Sequence, residues 1–96
     1  MARAGKETYA VAYDNRAVRD LANLDTLWQE EVRMAVEYKL MKEPELFGKP
    51  LRGTLKGCWS LRVGNYRVVY QLRPRIVRII AIVHRSGDCR AVDARL

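Results

Sequence analysis

Arg62, Arg67 and Arg85 are the residues of this chain whose type and spacing most clearly suggest chemistry. Gly64-Asn65 lies between two alternating apolar runs and reads as a two-residue hairpin turn. A turn there sets Val63 opposite Tyr66, Arg62 opposite Arg67, Leu61 opposite Val68 and Trp59 opposite Tyr70. One face of the hairpin then holds Trp59, Leu61, Val63, Tyr66, Val68 and Tyr70, a core face. The other holds Cys58, Ser60, Arg62, Arg67, Val69 and Gln71. Two guanidiniums directly opposite each other cost about a few tenths of a kcal/mol. Either both splay into solvent at the sheet edge, or an anion sits between them.

A three-residue loop at Arg73-Pro74-Arg75 would pair Arg67 with Ala81. Positions 77, 79, 81, 83 and 85 then share the face of Arg67, with Arg85 just past the strand end and near Arg62. Three arginines from three strands can grip a phosphate in bidentate fashion and neutralise charge that develops on it. The same register leaves Val77, Ile79 and Val83 uncovered, an apolar strip suited to a partner protein. His84, the only histidine, is either a structural residue at a strand end or a proton carrier beside Arg85, since it titrates near neutrality. Cys89 could act as a nucleophile only with a base and a lowered pKa. No metal-ligand spacing, phosphate-binding glycine loop or pair of carboxylates is present. A metal site, a cofactor or a two-carboxylate hydrolase is therefore not expected.

The elements that must position these residues follow from periodicity. Glu7 to Tyr13 alternates through Tyr9, Val11 and Tyr13 and predicts a strand. Asp14 or Asn15 can cap a short helix to about Ala22. Asp25 can cap a longer one to about Lys42, with Leu24, Trp28, Val32, Ala35, Val36 and Leu40 as its apolar stripe. Glu43 to Gly57 holds Pro44, Gly48, Pro50, Gly53 and Gly57 and reads as connecting loop. Cys58–Val63, Tyr66–Leu72 and Ile76–His84 are strands of period two. The expected fold class is α+β in the order β-α-α-β-β-β, with two helices on one face of a small antiparallel sheet.

Ninety-six residues make one domain, residues 1–96. Charge is unevenly spread: residues 1–48 hold seven Lys/Arg against nine Asp/Glu, whereas residues 49–96 hold eleven against two. The second half accounts for the net charge of +7 and predicts a cationic surface seeking an anion, with phosphate the commonest polymeric choice. Cys58 and Cys89 make no disulfide framework and suit reduced thiols. The opening residues lack the apolar core of a secretory signal. The longest apolar run, Ile79 to Val83, is far below the roughly 20 residues that span a bilayer. A soluble, cytoplasmic protein without membrane contact is expected.

The run from Leu51 to Tyr70, LRGTLKGCWSLRVGNYRVVY, followed by Ile82-Val83-His84-Arg85, resembles the RelE/ParE superfamily of bacterial and archaeal toxin–antitoxin toxins. The matched pattern is L-x-G…W-x-L-R-x-G-x-Y-R-V-x-Y. Length and element order agree, so the resemblance covers essentially the whole chain. It is nearest to the RelE-type toxins, metal-independent endoribonucleases that cut mRNA in the ribosomal A site by attack of the 2′-hydroxyl on the adjacent phosphate.

The resemblance implies catalytic roles for Arg62, Arg67 and Arg85, and His84 matches the histidine of the family's H-R motif. It implies RNA binding through Arg52, Lys56, Ser60, Arg62, Arg67, Arg85 and Arg90. Lys49, Arg73, Arg75, Arg78 and Arg95, with Arg52, Lys56 and Arg90, would steer the chain towards ribosomal RNA or an acidic partner. Implied partners are a cognate antitoxin, mRNA and the ribosome, with operator DNA reached only through the antitoxin complex. Two positions depart from the pattern: Ser60 stands where relatives often carry lysine, and Cys89 where they often carry tyrosine. The phosphate-binding part is intact and the acid–base part depleted. This keeps two alternatives open: a ParE-type inhibitor of DNA gyrase without nuclease chemistry, and a degenerate toxin serving as an antitoxin-bound repressor component.

Overall fold

A computed structural model describes residues 8–85, 92 and 94–96. The elements are β1 (Ala10–Tyr13), α1 (Asn15–Ala22), α2 (Thr26–Ala35), α3 (Pro44–Phe47), β2 (Lys49–Pro50), β3 (Cys58–Val63), β4 (Tyr66–Arg73) and β5 (Ile76–His84). Both predicted helix caps form. The Asp14 carboxylate accepts from the backbone N–H of Arg16 at 2.9 Å, and that of Asp25 accepts from Trp28 N–H at 3.2 Å. Beyond Ala35, α2 widens into a π-helical turn over Val36–Leu40, where Met41 N–H reaches back to Val36 C=O at 3.0 Å. The wide turn keeps both Val36 and Leu40 buried.

The strand order is β1-β5-β4-β3-β2. The expected order of elements is present, with one correction to the sheet: it is mixed, because β1 runs parallel to β5, Ala10 beside Ile76 and Tyr13 beside Ile79. The chain between β1 and β5 is long enough to carry the crossover that parallel pairing needs. The predicted connecting loop also contains structure. It holds α3, the short β2 and a 3₁₀ turn at Gly53–Leu55. The first strand begins at Ala10; the expected start at Glu7 lies outside the described residues.

Alternation along the strands makes two layers of unequal thickness. On the helix side, Val32, Val36 and Leu40 pack on Leu61, Val63, Val68, Tyr70, Val77, Ile79 and Ile82. Tyr70 is fully buried there and its hydroxyl donates to Pro44 C=O at 2.6 Å. Burial pushes its pKa up, so it stays a donor. Gly48 has no room for a Cβ, which would land on the same hydroxyl. On the far side lies a smaller cluster of Leu55, Cys58, Val69, Ile80, Ala81 and Val92, flanked by Leu51 and Val83.

The register of β5 corrects a second expectation. The β4–β5 connection is a two-residue turn, Arg73 pairing with Ile76, and a bulge between Val69 and Tyr70 sets Val69 opposite Ala81 but Tyr70 opposite Ile79. Arg67 therefore pairs with Val83, not Ala81. The bulge also changes which residues face the helices. Val77 and Ile79, expected as an uncovered strip, are fully buried on the helix side, and Val83 is half-buried against the far-side cluster.

Candidate phosphate-binding face

The site is built around the Gly64-Asn65 turn. Gly64 has φ 57°, a left-handed conformation that suits glycine, and a Cβ there would collide with the Trp28 ring. Trp28, held at the start of α2 by the Asp25 cap, thus seats the turn from below. Its ring meets Tyr66 edge-on at 5.4 Å, and Tyr66 meets His84 edge-on at 5.4 Å. From the other direction, Arg85 N–H donates to Asn65 C=O at 2.7 Å and ties the end of β5 to the same turn.

Arg62 and Arg67 are direct cross-strand partners, and both are exposed on the far side of the sheet. The Arg62 side chain bends back towards the turn, its Nε lying 3.5 Å from Gly64 C=O. Arg85 follows Val83 by two positions, so alternation sends it to the face of Arg67 at the end of β5. Among the described residues, ion pairs join Asp14 to Arg16 and Arg78, Glu30 to Arg33, and Asp20 to Arg95. None involves Arg62, Arg67 or Arg85. The backbone register therefore sets three cations at the Gly64-Asn65 end of the sheet, none of them in an ion pair among the described residues, which favours an external anion.

The other sequence-predicted residues fall in different places. His84 pairs with Tyr66 and points by alternation to the helix side, away from Arg67 and Arg85. Ser60 is half-buried in the row of Arg62, between Val69 on β4 and Lys49 on β2. Arg52 and Lys56 are exposed on either side of the 3₁₀ turn that carries Leu55 into the far-side cluster. Cys89 and Arg90 lie outside the described residues.

Lys49 is the residue that sequence reasoning placed only among the outlying cations. Its pairing with Ser60 puts an exposed ammonium on the arginine face, one strand over from a position where a lysine was missed. The signal available was Lys49-Pro50 itself, a cation followed by a proline that cannot donate to a further ladder and so suits an edge strand. Reading positions 43–57 as loop hid it.

A clamp fixes the far-side layer. The Asp20 carboxylate, from α1, accepts from Arg95 at 2.7 and 3.2 Å and from the Ile82 N–H of β5 at 3.0 Å. Arg95 also donates to Ile80 C=O at 3.0 Å, beside the bulge. The Asp20 bond holds the Arg95 pKa above its ordinary value. Val92, fully buried, is kept against Val69, Ile80 and Ala81 by this clamp.

Residues 11–89 match the family model of the ParE toxin of the type II toxin–antitoxin system parDE. The chain is 41% identical over 93 residues to the toxin RelE of Mycobacterium tuberculosis H37Rv, covering 91% of this chain and 92% of that toxin. It is 35% identical over 84 residues to the toxin RelG of the same organism, covering 85% of this chain and 97% of RelG. Among solved structures, the RelBE2 toxin–antitoxin complex of M. tuberculosis superposes with a TM-score of 0.78 at 34% identity, over 83% of this chain and 94% of the matched one.

Proposed function

This chain belongs to the ParE toxin family of type II toxin–antitoxin systems, and from that premise we propose that it is a toxin of the RelE kind that cuts mRNA on the ribosome. The observation that carries the reading is the convergence of Arg62, Arg67 and Arg85 at the Gly64-Asn65 turn with no internal counter-ion among the described residues. In the proposed reaction the mRNA 2′-hydroxyl attacks the adjacent phosphorus. A P–O2′ bond forms, the P–O5′ bond breaks, and the proton lost by the 2′-hydroxyl is balanced by one gained at O5′. The products are a 2′,3′-cyclic phosphate and a 5′-hydroxyl. Arg62 and Arg67 bracket the scissile phosphate and Arg85 closes the third side. Negative charge on the non-bridging oxygens grows as phosphorus becomes five-coordinate, and guanidiniums already in place stabilise it without reorganising. Lys49 adds an ammonium on the Ser60 side of the same face.

His84 is the remaining candidate for moving the proton. Its neighbour across the ladder is Tyr66, and its face is the helix side, so packing is the role its surroundings support. His84→Ala separates the two: loss of cleavage with intact ribosome binding and thermal stability assigns a proton role, whereas loss of stability assigns packing.

A cognate antitoxin is part of the proposal. The M. tuberculosis structural relative is a toxin–antitoxin complex, and the cationic face here invites an acidic partner. Expression of the chain with mapping of mRNA 5′ ends tests the reading. A-site cuts that vanish in Arg67→Ala support it; growth arrest with intact mRNA overturns it. Two observations favour a second reading, a ParE-type binding module that poisons gyrase: the matched family model is that of ParE, and Ser60 stands where the resemblance leads one to expect lysine. Accumulation of gyrase–DNA cleavage complexes while mRNA stays whole would establish that alternative.

A further inference from the structure

A single turn governs the arginine end of the sheet. Gly64-Asn65 projects beyond Val63–Tyr66, the last pair of the β3–β4 ladder. Arg62 lies two residues before Gly64 and Arg67 two residues after Asn65, while Arg85 N–H donates to Asn65 C=O at 2.7 Å. Arg62 Nε also lies 3.5 Å from Gly64 C=O. A turn that lifts or rocks therefore moves all three arginines at once. Its own ladder holds it at one end only, so its height above the helices needs a second support.

Trp28 supplies it. The outer edge of its indole, Cη2 and Cζ3, occupies the space that a Cβ on Gly64 would need. The side chain is half-buried and meets Tyr66 edge-on at 5.4 Å, an attractive geometry for two aromatic rings. Its backbone is fixed. Trp28 N–H donates to the Asp25 carboxylate at 3.2 Å, and Gln29 Nε2 donates to Leu24 C=O at 2.7 Å across the link between α1 and α2. An indole turns about only two side-chain torsions, so a fixed backbone leaves it little freedom. Leu21, Leu24, Val32, Ala35, Val36 and Leu40 pack into the helix-side cluster, whereas Trp28 stands outside it, among the described residues.

We propose that Trp28 is a positioning residue for mRNA cleavage, its indole edge setting the height of the Gly64-Asn65 turn and so the spacing of Arg62, Arg67 and Arg85. This deepens the ribosome-directed reading above and rests on it. Trp28 stands on the helix side and the arginines on the far side, so the indole acts through the turn and not on the RNA. Stabilising five-coordinate phosphorus needs the three cations at fixed spacing, whereas looser arginines still attract the strand. Loss of the seat therefore slows the chemical step and leaves capture of the mRNA unchanged. The reach of the side chain is the property that matters. Phenylalanine keeps an aromatic face but ends short of the atoms that meet Gly64.

Single-turnover cleavage of ribosome-bound mRNA, followed against toxin concentration, tests this. Trp28→Phe should lower the saturating rate about tenfold and Trp28→Ala about 10²-fold, with the half-saturating concentration unchanged in both. Leu40→Ala, a core change beyond the other end of the same helix, should keep the saturating rate per folded molecule. Hydrogen exchange at the Arg85 amide, bonded to Asn65, should quicken in both Trp28 variants more than exchange at Ile82, bonded to Asp20. A Trp28→Phe protein that cuts at the wild-type rate overturns the proposal. An equal rate loss in Leu40→Ala at equal stability does so too, because Trp28 then only stabilises the fold. A raised half-saturating concentration at an unchanged saturating rate also overturns it, by placing Trp28 in binding. Wild-type protein that leaves mRNA whole on ribosomes overturns the proposed function instead. Arg85 exchange then decides whether Trp28 holds the turn, and equal protection in Trp28→Phe and wild type shows that it does not.

Discussion

The two faces of the sheet are made from the same strands and do opposite things. On the helix side, large side chains fill the space between sheet and helices: Tyr70, Leu40, Ile79, Val32 and Val36 are all essentially inaccessible. On the far side the buried residues are fewer and smaller, confined to the middle, with arginines beyond them at both ends. Strand alternation lets one β-strand contribute Val68 to the first face and Arg67 to the second. Stability and charge are thus segregated at single-residue spacing. A cationic site on the thick face would have to be desolvated; on the thin face it keeps its water until a polyanion replaces it.

That contrast predicts separable effects. The largest falls on activity: Arg67→Ala should lower the rate of mRNA cleavage on ribosomes by roughly 10²–10³-fold. Its melting temperature should stay level or rise slightly, because an opposed like-charge pair is removed. A fall in melting temperature comparable to that of a core mutant would erase the distinction between the faces. Leu40→Ala should do the reverse, with a loss of about 3 kcal/mol in urea unfolding and normal cleavage per folded molecule. Asp20→Asn probes a carboxylate that joins the faces. It weakens charge-assisted bonds to Ile82 N–H and Arg95, and a loss of about 2 kcal/mol is expected, with faster hydrogen exchange at Ile82. Loss of exchange protection across the helix side as well would show that the two layers unfold together.

The smallest effect is electrostatic and depends on pH. The Asp14 carboxyl is held below its ordinary value of 3.8 by the hydrogen bond from Arg16 N–H, then by the Arg16 and Arg78 guanidiniums. A lowered folded-state pKa stabilises above the unfolded value and is lost as pH falls through the folded one. Asp14→Asn should therefore melt lower than wild type near neutrality, and the gap should close as pH falls below 3.8 and through the lowered folded-state value. A gap that persists in acid would show that Asp14 acts as a neutral cap alone.

Much of this was legible in the sequence where the chain is locally coded. Asp14 and Asp25 announce their helices, and Gly64-Asn65 sets the β3–β4 register, so the Arg62–Arg67 pairing could be written down directly. The β5 register was not, because a three-residue turn pairs Arg67 with Ala81, whereas a two-residue turn followed by a bulge moves that partner two places on, to Val83. Nothing local distinguishes them; the packing of Val77 and Ile79 under the helices decides. Both solutions send residue 85 to the face of Arg67, so Arg85 was assigned to its face through a register that does not occur. Lys49 and α3 were hidden for a related reason. Their structure comes from tertiary contacts, with Pro44 and Gly48 closing over Tyr70, and not from periodicity. Parallel pairing of β1 with β5 joins distant segments and leaves no local trace.

That pairing also puts the molecule on a clock. β1 is made before the other elements, but among the described residues its only neighbour in the sheet is β5, the last strand described. Until Ile76–Ile79 has left the ribosome that is making it, Ala10–Tyr13 has nothing to lie against and the core beneath Val77 and Ile79 cannot close. Arg62 and Arg67 emerge from synthesis before the scaffold that orients them, so the nascent chain passes through an interval in which its charges are present but unarranged. Competence waits for β5 and is set by the return of the chain to its first strand.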